Sequence, residues 1–135
     1  MKLFVDTSAW FALIDRSDQN HEAAAGFVKQ FQVEPVTWHL TDYIVDETAT
    51  LLSLKVSHQQ AVAFLDFLDR SRQVMRSHVT PDLLGKAEKI FRRYRDKKWS
   101  FTDCVSFAYM DSQGLADVFA FDHNFAEYGK QRYPR

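Results

Sequence analysis

Four acidic residues of this chain, Asp6, Glu47, Asp103 and Asp122, stand where a carboxylate can do chemistry. Asp6 follows the apolar run Leu3-Phe4-Val5, and Asp122 follows Val118-Phe119-Ala120-Phe121. Such runs read as buried strands, and open parallel sheets bind ligands beyond the carboxyl ends of their strands. Asp is also common at turns and caps, so each is explained singly by local structure. Two at matching positions point to a shared crevice. Glu47 lies three residues after Ile44 and four before Leu51, which puts it on the apolar face of a helix. Asp46 aligns instead with Asp42, Thr50 and Ser53, a solvated face. Asp103 ends Ser100-Phe101-Thr102-Asp103, the spacing of a capping box; capping explains it as well as chemistry does.

Four carboxylates in one crevice repel one another and raise each other's pKa. A hard divalent cation with oxygen ligands, Mg²⁺ or Mn²⁺, relieves that repulsion. Such ions activate water and stabilise the leaving oxygen of a phosphodiester. The residue types thus point to metal-assisted phosphodiester hydrolysis, and leave open whether the four acids converge.

The elements that must position them alternate in type. Strands are expected over Leu3–Val5, Pro35–Leu40, Gln73–Ser77 and Val118–Phe121. Helices are expected over Ala9–Ile14 with Ser8 as cap, from His21 to about Gln32, from Thr41 or Asp42, from Ser57, from Pro81 to about Tyr94, and from Ser100 to Ser112 with Gly114 past its end. Alternating strands and helices imply an α/β fold with a parallel sheet, its two fully apolar strands central. The polar segment Gly129–Arg135 reads as a weak edge strand or a tail.

With 135 residues, 4 Gly, 3 Pro and no linker-like stretch, the chain reads as one domain, residues 1–135. A net charge of -1 means that nucleic-acid binding, if present, rests on a local basic patch or on bound metal. Cys104 is the only cysteine, which excludes an internal disulfide and a thiolate zinc site. No signal peptide and no apolar run of the ~20 residues that span a bilayer is evident. A cytoplasmic protein without membrane contact is expected.

Val5-Asp6-Thr7-Ser8-Ala9-Trp10, Asp46-Glu47-Thr48, Trp99-Ser100-Phe101-Thr102-Asp103-Cys104 and Ala120-Phe121-Asp122-His123-Asn124-Phe125 occur in that order across nearly the whole chain. Together they resemble the successive motifs of PIN-domain ribonucleases, and most of all the VapC-type toxins of bacterial toxin–antitoxin modules. The resemblance implies a three-layer α/β/α fold and a Mg²⁺- or Mn²⁺-dependent endoribonuclease. Asp6, Glu47, Asp103 and Asp122 match the family's acidic positions. It implies Asp6 and Asp103 as direct metal ligands, Asp122 as a ligand directly or through water, and Glu47 as a ligand or as the residue positioning the attacking water. Thr7, Ser8 and Thr102 would support them. A homodimer and a cognate antitoxin, whose tail blocks the acidic crevice, are also implied. The polar C-terminus departs from the family's last edge strand.

The segment from Arg92 to Trp99 is the densest basic stretch and leads into Asp103. It suits RNA phosphates, with Tyr94 or Trp99 as a stacking surface; a solvated helix end explains it equally well. Trp10 and Phe11 are candidates for a dimer or antitoxin groove. His123 reads as a loop histidine, and Cys104 as inert packing. An aspartyl phosphatase of the Asp-x-Asp-x-Thr type would want Asp where Ser8 stands. A receiver-like domain would want a further acidic pair and a late lysine. The alternatives within the resemblance are an RNA-processing nuclease without an antitoxin and a non-catalytic PIN-fold interaction module; loss of an acid would favour the last, and none is missing.

Overall fold

A computed structural model describes residues 1–135. The strands are β1 (Lys2–Val5), β2 (Thr37–Thr41), β3 (Val74–Ser77), β4 (Asp117–Phe119) and β5 (Gln131–Tyr133). The helices are α1 (Thr7–Ile14), α2 (His21–Lys29), α3 (Asp42–Lys55), α4 (His58–Arg70), α5 (Pro81–Arg93), α6 (Phe101–Gln113) and α7 (Asn124–Tyr128), with one 3₁₀ turn at Gln30–Gln32.

All five strands are parallel, in the order β3-β2-β1-β4-β5. The chain builds outward from β1 through β2 to β3, then crosses back to lay β4 on the other side of β1. That reversal makes the gap between the carboxyl ends of β1 and β4 the topological switch point, where α/β sheets open a crevice. Strand alternation sends Val5, Trp38 and Phe119 to one face and Phe4 to the other. The first face meets Phe27 and Phe31, with ring centroids 4.8 Å between Phe27 and Phe119 and 5.3 Å between Phe31 and Trp38. On the other, Phe4 lies 5.8 Å from the Tyr109 ring and 6.1 Å from the Phe125 ring. Helices thus cover both faces, giving the expected three-layer α/β/α architecture. Leu3, Phe4, Val5, Val118 and Phe119 are fully buried, as their unbroken apolar pattern requires.

The element boundaries carry several corrections. Asp6, extended at φ -78° and ψ 159°, caps α1 in place of Ser8, which lies inside the first turn. The helix starts as soon as the strand ends, so the residue that leaves the strand is the one available to cap. Strand pairing of β4 stops at Phe119, and Asp122 stands three residues further on. The segment after Gly129 forms the edge strand β5 rather than a tail, parallel to β4 through Val118↔Arg132 and Phe119↔Tyr133. Helix α7 was not expected from the sequence.

Candidate active site

Asp6 closes β1 and opens α1. Its Oδ2 accepts hydrogen bonds from the Ser8 backbone N–H at 3.2 Å and the Ser8 hydroxyl at 2.6 Å. Its own N–H donates to the Phe119 carbonyl at 3.0 Å, tying the end of β1 to the end of β4. The Ser8 Oγ in turn accepts from the Phe121 N–H at 3.0 Å. One serine therefore links the Asp6 carboxylate to the backbone that leads to Asp122. Arg132 Nη1 holds the same backbone from the other side, donating to the Ala120 and Phe121 carbonyls at 3.4 and 3.3 Å.

Asp103 is buried at the third position of α6 and completes a capping box. Its N–H donates to Ser100 Oγ at 2.9 Å, and its Oδ2 accepts from the Ser100 N–H at 3.0 Å. The same Oδ2 accepts from Asn124 Nδ2 at 2.9 Å. Capping therefore occupies one oxygen of Asp103, and its Oδ1 has no protein hydrogen bond. Asp6 is alike: Oδ2 is used and Oδ1 is left over. Asp122 differs, since Asn124 engages both its oxygens, through N–H to Oδ1 at 2.9 Å and Nδ2 to Oδ2 at 3.3 Å.

Glu47 is half-buried on α3 while Asp46 is exposed, as the helical phase requires. The Thr7 hydroxyl stabilises the Glu47 carboxylate, and Thr48 Oγ1 donates to Thr7 Oγ1 at 3.0 Å. Thr7 and Ser8 thus act on the acids directly. Thr102 is half-buried beside Asp103 and takes no part in these hydrogen bonds.

Burial and mutual repulsion perturb the cluster. Desolvation, above all, lifts the Asp6 carboxyl from its ordinary 3.8 to about 7; the Ser8 bonds oppose this, and the charges of Asp103 and Glu47 add to it. Burial raises Glu47 as well, with further pressure from Asp103, Asp122 and Asp46. It raises Asp103 too, against its bonds from Ser100 and Asn124, with the Asp122 charge adding to the rise. Asp6, Glu47 and Asp103 therefore lie within electrostatic reach of one another, and Asp122 within reach of Glu47 and Asp103. No lysine or arginine pairs with any of them; the nearest nitrogen side chain is exposed His123, with Nδ1 3.9 Å from Asp122 Oδ1.

An oxygen-only donor set without a cationic counter-charge suits a hard divalent ion. No three of the protein's acidic, histidine or cysteine side chains converge closely enough to hold a metal ion by themselves. A Mg²⁺-type ion, which keeps several waters and shares its ligands with phosphate, needs no such convergence.

Asn124 was not singled out in the sequence, although its spacing from Asp122 is that of an Asx turn, a readable signal. One aromatic expectation changes and another is divided between its two residues. Trp99 is buried, packed 5.0 Å from both the Tyr94 and Phe107 rings, and its indole N–H donates to Glu127 Oε1 at 2.9 Å, so it offers no free stacking face. Trp10 is also buried, 5.4 Å from Phe64, yet it lines the apolar groove between α1, α2 and α4; Phe11 is half-buried and does not line it.

Residues 3–131 match the model of the PIN domain. The chain is 34% identical over 127 residues to VapC20 of Mycobacterium tuberculosis, a 23S rRNA-specific endonuclease, and the match covers 94% of each chain. The crystal structure of that protein, described as a sarcin-ricin loop cleaving toxin, superimposes with a TM-score of 0.85 over 95% of both chains at 33% identity. VapBC2 from Rickettsia felis, bound to a promoter DNA fragment, gives a TM-score of 0.71 at 10% identity over 98% of this chain and 97% of its own. FitAcB from Neisseria gonorrhoeae gives 0.67 at 13% identity over 98% and 96%. These last two speak for the fold alone. The chain belongs to the PIN-domain family, among the VapC-type toxin endonucleases.

Proposed function

We propose that residues 1–135 fold as one domain and act as the endoribonuclease toxin of a toxin–antitoxin pair, on single-stranded or loop RNA with Mg²⁺ or Mn²⁺ bound among Asp6, Glu47, Asp103 and Asp122. The observation that carries the reading is the division of labour within two carboxylates. Asp6 and Asp103 each spend Oδ2 on protein donors and keep Oδ1 free. Oriented by those bonds, they are the direct ligands. Asp122, with both oxygens engaged by Asn124, is the acid that acts through water. A bound divalent ion supplies a lowered pKa for water and stabilisation of the leaving oxygen.

The chain's own residues do the rest. Ser8 and Asn124 fix the orientation of the carboxylates before substrate arrives, which removes reorganisation from the reaction itself. Glu47, steadied by the Thr7 hydroxyl on a helix face open to the crevice, holds an oxygen able to orient an attacking water and take its proton. Burial raises its pKa above the ordinary carboxylate range, which makes it a stronger base than a solvated glutamate. The similarity to a 23S rRNA-specific endonuclease supports RNA as the substrate.

An apolar groove between α1, α2 and α4, lined by Leu13, Ile14, Val28 and Phe67, suits an amphipathic segment of the antitoxin. A homodimer and a cytoplasmic location complete the reading. No helix is long and apolar enough to cross a membrane. Purified, antitoxin-free protein is expected to cleave RNA with Mn²⁺ present and to stop on addition of EDTA. Cleavage that persists in EDTA, or in Asp6→Asn, would overturn the metal-site assignment.

A further inference from the structure

Beside the acidic crevice lies a surface that the reading above does not use. Helices α5 and α6 form a hairpin that brings the C-terminal end of α5 against the first turn of α6. There Phe91, 49% exposed, meets Phe101 edge-on with ring centroids 5.7 Å apart. Phe101 continues to Tyr43 at 6.4 Å. Phe101 shares the first turn of α6 with Asp103, and Tyr43 is one helical turn before Glu47, on the same face of α3. Phe91 and Phe101, with Glu88, Arg92 and Arg95, line an open depression of about 450 Å³.

The two arginines in that depression are uncommitted. Arg93 instead lies over the Tyr94 ring at 5.4 Å, and Lys97 over the buried Trp99 at 5.9 Å. Arg92 and Arg95 make no ion pair and no cation–π contact, and both are exposed. Arginines in fork geometry beside aromatic faces match the two recurring parts of a single-stranded nucleic acid, the phosphate and the base.

We propose that the Phe91–Phe101 edge with Arg92 and Arg95 is a subsite for one or two nucleotides of single-stranded RNA flanking the scissile bond. It rests on the nuclease reading and deepens it. A base stacks on Phe91, and the guanidinium groups of Arg92 and Arg95 take the adjoining phosphates. Glu88 borders the same depression and opposes the phosphate, so it weakens binding. The subsite supplies the positive charge that the acidic crevice lacks. It places the strand beside Asp103 while the net charge of the chain is -1.

The test is binding of a short fluorescein-labelled single-stranded oligoribonucleotide, followed by anisotropy in the Asp6→Asn background so that the RNA stays intact. Phe91→Ala is expected to weaken binding roughly 5- to 100-fold, the range of a lost base stack. Arg92→Ala with Arg95→Ala is expected to weaken it and to lower the salt slope by about 1.4, from two phosphate contacts on a single strand. Arg92→Lys with Arg95→Lys should keep that slope, and Glu88→Gln should tighten binding. Unchanged affinity and slope in the alanine variants would overturn the proposal. So would loss of a dimer by light scattering in Phe91→Ala with RNA affinity retained, since the surface would then belong to a second copy. Wild-type cleavage is assayed in parallel: if the wild type neither binds nor cleaves RNA, the nuclease reading fails with it, whereas cleavage alongside unaffected variants sinks this subsite alone.

Discussion

Asn124 reaches back across the site to Asp103: its Nδ2 donates to Asp103 Oδ2 at 2.9 Å, while the same group lies 3.3 Å from Asp122 Oδ2. One neutral amide thus spans two carboxylates from different elements, the start of α6 and the loop before α7. It takes charge repulsion out of the pair without occupying the oxygen that Asp103 turns to the crevice.

Asn124→Ala removes that bridge and frees both carboxylates to rotate. Mn²⁺ affinity, measured by calorimetry, is expected to fall about 10- to 100-fold, the usual loss when a group that orients a metal ligand is removed. Retention of wild-type affinity would show that the capping box alone holds Asp103 in place.

Asp6 makes metal-free stability depend on pH. Its carboxyl binds a proton more tightly in the folded protein, at about 7, than in the unfolded chain near 3.8. This contribution is complete below about pH 4 and is lost as pH rises to about 7, amounting to a few kcal/mol. Glu47 and Asp103, both raised by burial, act in the same direction. In EDTA the Tm is therefore expected to fall across that window, with a shallower fall in Asp6→Asn, and Mn²⁺ should flatten it. A Tm that rises through the window and is indifferent to Asp6→Asn would contradict the assignment.

Ser8→Ala deletes two bonds at once, one to the Asp6 carboxylate and one from the Phe121 N–H. A loss of about 1–3 kcal/mol in chemical denaturation is expected, with the loop that carries Asp122 loosened. Hydrogen exchange at Phe121 N–H reports that loosening directly, and protection unchanged from wild type would show that Arg132 suffices to hold the loop.

Asp46→Asn is the matched control for Glu47→Gln. The two residues are adjacent, yet one faces water and the other the crevice. Cleavage by Asp46→Asn should stay near wild type, whereas Glu47→Gln should lose at least ~100-fold, the scale of a general base.

Much of this was legible in the residues. The apolar runs of β1 and β4 locate the sheet centre, because only a strand buried on both faces is apolar throughout. The phase of α3 separates Glu47 from Asp46, since helical spacing fixes which of two neighbours turns inward. Other features turn on contacts remote in sequence. Ser8 and Asp6 are equivalent caps on paper, and the strand pairing that holds Asp6 extended decides between them. Trp99 sits in a basic stretch and looks exposed, yet Glu127 and Tyr128, far along the chain, bury it. Helix α7 has only five residues, too few to carry an apolar stripe, so no helical pattern marks Asn124. The three-residue β5 draws its order from β4, not from its own composition.

The central claim rests most heavily on Asp103, whose capping role is sufficient to explain its presence without any chemistry. Asp103→Asn keeps an oxygen to accept from the Ser100 N–H and removes the charge. The decisive measurement is its rate of Mn²⁺-dependent RNA cleavage beside its Tm. The account predicts a metal-free Tm no lower than wild type with cleavage reduced by about a thousandfold or more, in line with the loss of a principal source of electrostatic stabilisation. Cleavage within about tenfold of wild type, the equivalent of one RT-scaled decade in barrier, would show that Asp103 is a cap and nothing more.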